Sequence, residues 1–330
     1  MVIGRTLVTG ATGGLGRVLA AALHAAGRPV VATGRNLEIG QVLEAAGLTF
    51  RPADLAGDDL TGLLEGVDTV FHLAALSRPW GPPEAFTRAN VTATNRLLTA
   101  AKAAGCKRFI FASTPSVYTC ARDQFGLSEA SALPVHPVNS YAATKLIAER
   151  QVRAAAEPGF ATVALRPRAI IGPYDKILLP RLLRAAAKGV LPLPRGGEAL
   201  IEPSDVRDVT RAFLAAEAAA PGVAGQVFNI SGGTAIPIRE LAGHVFRRLN
   251  RRVRIVNVPG RIALLAASAM EGVAMHLPGR PEPVLTRYGA MVVGWSQTFD
   301  LSAAHRHLDW SPCHTPTEAV DWALTGMGHA

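Results

Sequence analysis

The sequence predicts an α/β fold, a doubly wound parallel sheet with a smaller C-terminal α/β lobe. Three observations predict it. A glycine-rich stretch, Thr9-Gly10-Ala11-Thr12-Gly13-Gly14-Leu15-Gly16, joins a short apolar run to a helical pattern. Apolar runs of strand length then alternate with helical patterns through the first half, which implies right-handed crossovers and a sheet covered on both faces. The residues suited to chemistry fall just after those runs, at the edge where open α/β sheets bind ligands.

In order, strand 6–9 enters the glycine turn and helix 15–26 leaves it. Gly10, Gly13 and Gly16 let the backbone turn sharply and approach a pyrophosphate, which the helix N-terminus then favours with free N–H groups. Thr12 lies inside this Rossmann-type turn. Strand 29–33 ends at Gly34-Arg35, where an NAD-selective site usually carries a carboxylate for the ribose. Gly34 supplies none, and the Arg35 cation suits the 2′-phosphate of NADP(H), with NAD(H) still possible. The bland reading is a solvated arginine, with Asn36 capping helix 37–46. Asp54-Leu55, after the third strand, are candidate adenine contacts, although Asp54 also reads as an ordinary turn residue. Strand 69–73 runs through His72-Leu73-Ala74-Ala75, small enough at its end for a dinucleotide to lie across it. His72 reads as a satisfied core histidine. Helix 86–104, strand 108–112, helix 141–156 and strand 162–166 complete the first half. The second half has helix 205–220, strand 226–230, helix 238–250 and strand 253–258. The expected division is a dinucleotide-binding domain over 1–168 and a substrate lobe over 169–330, with strand 226–230 returning to the main sheet.

Composition sets bounds. The chain has 330 residues, 49% of them hydrophobic and 18% charged, as an ordered globular protein requires. No apolar run reaches the ~20 residues of a membrane span. No secretory leader is expected, and Cys106, Cys120 and Cys313 lack metal-type spacing, so a reduced cytoplasmic setting and no metal are expected. The net charge of +9 is dispersed except at Arg247, Arg248, Arg251, Arg252 and Arg254. That patch reads as a solvated helix end complementing the dipole, and without interleaved aromatics it gives nucleic acid no support.

Tyr141 and Lys145 stand four apart, on one face of a helix. A free phenol has a pKa near ~10 and is a poor acid–base group at neutral pH. A nearby ammonium, with an oxidised nicotinamide beside it, would favour the phenolate and pull that value down. On spacing alone the pair is a common coincidence; its context is what gives it weight. Upstream, Ser113-Thr114-Pro115-Ser116-Val117-Tyr118 ends a strand and offers hydroxyls to a substrate carbonyl.

These residues resemble the extended short-chain dehydrogenase/reductase family. The resemblance spans nearly the whole chain: Gly10-x-x-Gly13-x-x-Gly16, Asp54-Leu55, His72-x-Ala74-Ala75, Asn90-Val91, Tyr141-x-x-x-Lys145 and Arg166-Pro167 occur in the family's order. Ser113–Val117, the run from Leu165 to Pro173 and Leu285-Thr286-Arg287-Tyr288-Gly289 look like the 3β-hydroxysteroid dehydrogenase branch. That branch includes sterol 4-carboxylate 3-dehydrogenases and 2-alkyl-3-oxoalkanoate reductases. The resemblance implies Thr114, Tyr141 and Lys145 as the catalytic set, with Ser116 a second candidate hydroxyl near the substrate. It also implies that Gly14, Leu15, Asn90 and Pro167 contact the dinucleotide. Tyr174-Asp175 stands where many relatives have Gly-Asp, which marks Tyr174 as a candidate at the substrate mouth.

The expected activity is NAD(P)-dependent interconversion of a 3-oxo and a 3-hydroxy group on a hydrophobic substrate. Alternatives on the same scaffold are a nucleotide-sugar epimerase or dehydratase and a non-catalytic NADP-sensing protein. Arg168, Lys176, Arg181 and Arg184 are candidates for an acidic head group. The apolar segment 259–278 reads as a core helix, a lid over a greasy substrate, or an interfacial helix making peripheral membrane contact. A homodimer is expected, through helices 86–104 and 141–156.

Overall fold

A computed structural model describes residues 4–175 and 177–328. The strands β1 (Arg5–Thr9), β2 (Val30–Thr33), β3 (Thr49–Phe50), β4 (Val67–His72), β5 (Arg108–Ala112), β6 (Ala161–Pro167) and β7 (Gln226–Ile230) form one seven-stranded sheet. Its order is β3-β2-β1-β4-β5-β6-β7, parallel throughout. The order reverses between β1 and β4, and that switch point opens a crevice at the strands' carboxyl ends. β7 comes from the second half of the chain and lies in register with β6, Phe228 opposite Leu165.

Alternation along each strand feeds two cores. On β1, Val8 faces a cluster with Leu19 and Leu23 of α1 (Gly14–Ala25) and Phe213 of the helix Val206–Ala219. Leu7 faces the opposite cluster, with Leu97 and Leu98 of α3 (Ala93–Ala103) and Val152 of α4 (Ser140–Ala154). Between α1 and α3 lies α2 (Leu37–Ala45), capped by Asn36, whose Oδ1 accepts from the Ile39 N–H at 2.9 Å. A sheet buried on both faces must be apolar on both, and this one is. The segment expected as helix 86–104 starts at Pro83 and passes through a π turn at Thr87–Thr92 before α3. That turn re-aims Asn90 into the interior, where it is 1% exposed.

The C-terminal lobe has its own core, built chiefly by α6 (Ile238–Arg248) with the helix Pro316–Gly326, whereas α5 (Val206–Ala219) packs into the sheet's core. Strand 253–258 finds a partner the sequence did not reveal, pairing in parallel with Val190–Pro194. Arg247 and Arg248 occupy the exposed last turn of α6, and Arg248 pairs with Asp321 at 2.9 Å, so these two form a solvated helix end, with Arg251, Arg252 and Arg254 exposed beyond it.

Segment 259–278 folds as α7 (Gly260–His276), and the core reading of it fails. It buries Ala263, Ala267 and Ala274 and leaves Ile262, Leu265 and Val273 more than half exposed. Small residues let it lie close on α8 (Arg287–Gly294), and an ion pair of 2.7 Å between Glu271 and Arg287 joins the two. No described helix is long and apolar enough to cross a membrane.

Candidate active site

The glycine turn is held to its neighbours by close approach. Gly10 has φ +67°, and a Cβ there would stand 2.7 Å from the Ala74 nitrogen. One at Gly16 would stand 2.2 Å from the Gly10 oxygen, so both must be glycine. Beyond Gly13, α1 begins with no side-chain cap and no acid in its first turn. The N–H groups of Gly14 and Leu15 are therefore left for a pyrophosphate, and the residues present fit a dinucleotide. From the C-terminal lobe, Tyr174 comes over this turn: its backbone packs on Gly14, and the Arg17 guanidinium stacks 3.7 Å above its ring. Tyr174 thus stands at the phosphate end of the crevice.

At the end of β2, a Cβ on Gly34 would lie 2.6 Å from Thr12 Oγ1. No acidic side chain fits there while Thr12 keeps its place. Arg35 is exposed and forms no ion pair among the described residues. Asp54 pairs with Arg88 and accepts from the Ala56 N–H at 3.1 Å, bonds that hold its carboxyl below the usual range. The Asp54 side chain is thus a turn anchor as well as a neighbour of Arg35, while Leu55 is buried.

His72 fixes the floor of the crevice. The Thr94 hydroxyl donates to the Asn90 carbonyl at 2.6 Å, so its oxygen accepts from His72 Nε2 at 2.9 Å. Nδ1 then accepts from the Thr9 hydroxyl at 2.8 Å, and Thr9 Oγ1 accepts from the N–H groups of Leu73 and Ala74. Every atom is satisfied by one tautomer. Burial, with the Lys145 charge nearby, pulls the ring down to about 3, so it is a neutral core histidine. Asn90 completes the floor, accepting from the Leu76 N–H at 2.8 Å and donating to Thr144 Oγ1 at 3.1 Å. Leu76, next after Leu73, Ala74 and Ala75, is thereby tied to α4.

Along α4, Tyr141, Lys145 and Glu149 succeed one another on a single face. Glu149, which sequence reasoning missed, is 1% exposed and grips Arg166 of β6 with two bonds of 2.8 and 2.5 Å. It also accepts from Ser113 Oγ at 2.5 Å. Burial alone would lower Arg166, yet Glu149 and Tyr118 hold it above its ordinary value. The i+4 spacing after Lys145 was the available signal for Glu149. Lys145 lies over the Phe111 ring, Nζ 3.9 Å from its centre. Burial pushes Lys145 down to about 7, against the raising effect of Glu149. Tyr141 is half-buried, and burial pushes its phenol up to about 12, against a hydrogen bond with Thr114. The expected lowering of that phenol by Lys145 is not what the protein groups produce among themselves: each is removed from water, which disfavours phenolate and ammonium alike.

The hydroxyls converge as the strand ends suggest. Thr114 donates to Ser116 Oγ at 3.0 Å, and Ser116 Oγ lies 2.9 Å from the hydroxyl of Tyr288 on α8. Tyr288 is close enough to oppose ionisation of Tyr141. Pro167 ends β6 beside the crevice, and Arg168 after it is 4% exposed. Arg181 instead pairs with Glu282 at 2.7 Å, and Lys176 lies outside the described residues.

Residues 6–231 match the model of the NAD dependent epimerase/dehydratase family. A 2-alkyl-3-oxoalkanoate reductase of Stenotrophomonas maltophilia is 34% identical over 314 residues, 93% of this chain and 94% of that protein. The decarboxylating sterol-4-alpha-carboxylate 3-dehydrogenase of Mus musculus is 29% identical, over 82% and 77% of the two chains. Among solved structures, MoeE5 in complex with UDP-glucuronic acid and NAD superposes with a TM-score of 0.76 at 27% identity, covering 98% of this chain and 99% of that one.

Removing one partner of a buried ion pair strands the other, so Glu149→Ala should cost about 3–5 kcal/mol in urea unfolding. A cost near that of an exposed substitution would refute the pairing. Between about 7 and the ordinary 10.5 the unfolded chain protonates residue 145 more fully than the folded one. Stability should therefore rise with pH through that window. Lys145→Met should abolish this rise, as unfolding midpoints below and above the window would show.

Proposed function

The chain belongs to the NAD dependent epimerase/dehydratase family, the extended short-chain dehydrogenases/reductases, and is an enzyme of that superfamily; within it we propose an oxidoreductase that interconverts a 3-oxo and a 3-hydroxy group on a hydrophobic substrate, using NADP(H). The observation that carries the reading is the meeting of Thr114, Ser116 and Tyr288 with the half-buried Tyr141 phenol. Such a group of hydroxyls suits a single carbonyl oxygen that gains charge.

A bound nicotinamide would supply or accept the hydride. In the reducing direction Tyr141, protonated at neutral pH, holds the carbonyl oxygen and gives it a proton. Thr114 turns its hydroxyl to the same oxygen. Lys145, poised near neutrality, is drawn to its charged form once a phenolate stands one helical turn away. Glu149 favours that same charged form from the next turn. Asn90 and the Thr9–His72–Thr94 chain keep the floor of the crevice in place throughout.

Two features support the substrate class. The relatives at 34% and 29% identity are named for 3-position chemistry on a 2-alkyl-3-oxoalkanoate and a sterol carboxylate. In addition, α7 presents Ile262, Leu265 and Val273 next to α8, the helix that bears Tyr288. NADP(H) is supported by Gly34 packed on Thr12 and by the unpaired Arg35. The nucleotide-sugar reading has the likeness to MoeE5 on its side.

Tyr141→Phe should remove nearly all turnover while NADPH binding, followed by fluorescence, stays close to wild type; retained turnover would refute its role. Arg35→Ala should weaken NADP⁺ binding roughly 10- to 100-fold and leave NAD⁺ binding unchanged. Assayed against 3-oxo acids, ketosteroids and UDP-sugars, the enzyme should oxidise NADPH with one of the first two. Conversion of UDP-sugars without added cofactor would replace this reading with epimerisation.

A further inference from the structure

α7 is built inside out. It buries Ala263, Ala267 and Ala274 and turns its large apolar side chains to solvent. Ile262, Leu265, Ala269 and Val273 follow one another at three- and four-residue steps, so they form one stripe along the outer face. Leu265 is 71% exposed and Val273 62%. Beyond the helix end Leu277 is exposed as well, and Val284 completely so. Single apolar residues at a surface are ordinary, but a stripe running along a helix of 17 residues calls for something to cover it.

The free charges at the two ends of this stripe have one sign. Between residues 251 and 281 the only acid is Glu271, and it is half-buried and held by Arg287 at 2.7 Å. Glu282, the next acid along the chain, is taken by Arg181. Arg261 in the first turn of α7 and Arg280 beyond its end are exposed and form no ion pair among the described residues. A cation in the first turn works against the helix dipole, so Arg261 does not serve the helix itself. The Trp80 indole N–H donates to the Arg280 carbonyl at 2.9 Å, which adds an amphipathic ring beside that second arginine.

We propose that α7 is an interfacial helix that docks the enzyme, with this stripe inward, on an anionic phospholipid surface. Acyl chains cover the stripe, and lipid phosphates meet Arg261 and Arg280. A second copy of the chain complements this face poorly, since it brings further cations and no free carboxylate to receive them. Docking of this kind is independent of the reaction catalysed. The Glu271–Arg287 pair ties α7 to α8, the helix that bears Tyr288, so docking holds the hydroxyl cluster near the lipid.

The test is co-sedimentation of the full chain with vesicles of phosphatidylcholine alone or with about a third phosphatidylglycerol. The wild type should bind the anionic vesicles roughly tenfold more tightly than the neutral ones, and less tightly as salt rises. Leu265→Gln together with Val273→Gln should weaken that binding on the order of tenfold. The thermal unfolding midpoint should not move, because both side chains are already exposed. Arg261→Gln and Arg280→Gln should each weaken binding roughly fivefold and reduce its dependence on salt. Wild-type protein that stays in solution with both kinds of vesicle, or binding that none of these substitutions changes, would overturn the docking. So would a dimer, seen by analytical ultracentrifugation, that the paired glutamine substitutions dissociate, because the stripe would then belong to a second copy.

Discussion

The buried pair of Glu149 and Arg166 is the constraint on which the site depends. It bolts α4 to β6, and Ser113 joins it from the end of β5. Tyr118 adds a further bond from the turn beyond Thr114. Two strand ends, the turn beyond Thr114 and α4 therefore meet at one buried ion pair. Such a pair is not a source of large net stability, because desolvation offsets most of its attraction. Its value lies in placement, since no other arrangement satisfies both charges once they are out of water.

Placement by burial has an electrostatic consequence. The same exclusion of water that makes the Glu149–Arg166 pair specific raises the Tyr141 phenol and depresses the Lys145 ammonium. Two groups that would be inert in water at neutral pH become a firmly held proton and a charge close to balance. The phenol thereby keeps its proton at neutral pH, and the amine responds to any negative charge that forms beside it. His72, equally buried but with no anion near it, is discharged and serves as a brace. Environment, more than residue type, separates these roles.

The crevice has three regions with different physical bases. Close backbone approach at Gly10 and Gly16, with uncapped helical N–H groups, suits phosphate. The middle is hydroxyl-rich and neutral. At the far side lie the buried Arg168 and the apolar residues of α8. Phosphate and a carbonyl suit the first two of these in turn.

Much of this was legible in the residues themselves. Alternating apolar runs encode a sheet covered on both faces, and glycine spacing encodes a turn, because both depend on local backbone geometry. The i, i+4 pair of Tyr141 and Lys145 is likewise local. What lay beyond reach was set by contacts distant in sequence. Glu149 finds Arg166 only after β6 returns to the sheet, and strand 253–258 finds its partner only in the folded lobe. The hydrophobicity of α7 read equally as core or surface until packing buried its alanines and exposed its large side chains. The sequence by itself determined the fold class, the glycine turn and the i, i+4 pair of Tyr141 and Lys145, each written in short-range periodicity. Only the tertiary structure decided the charge states of that pair, because desolvation depends on every neighbour that folding brings near.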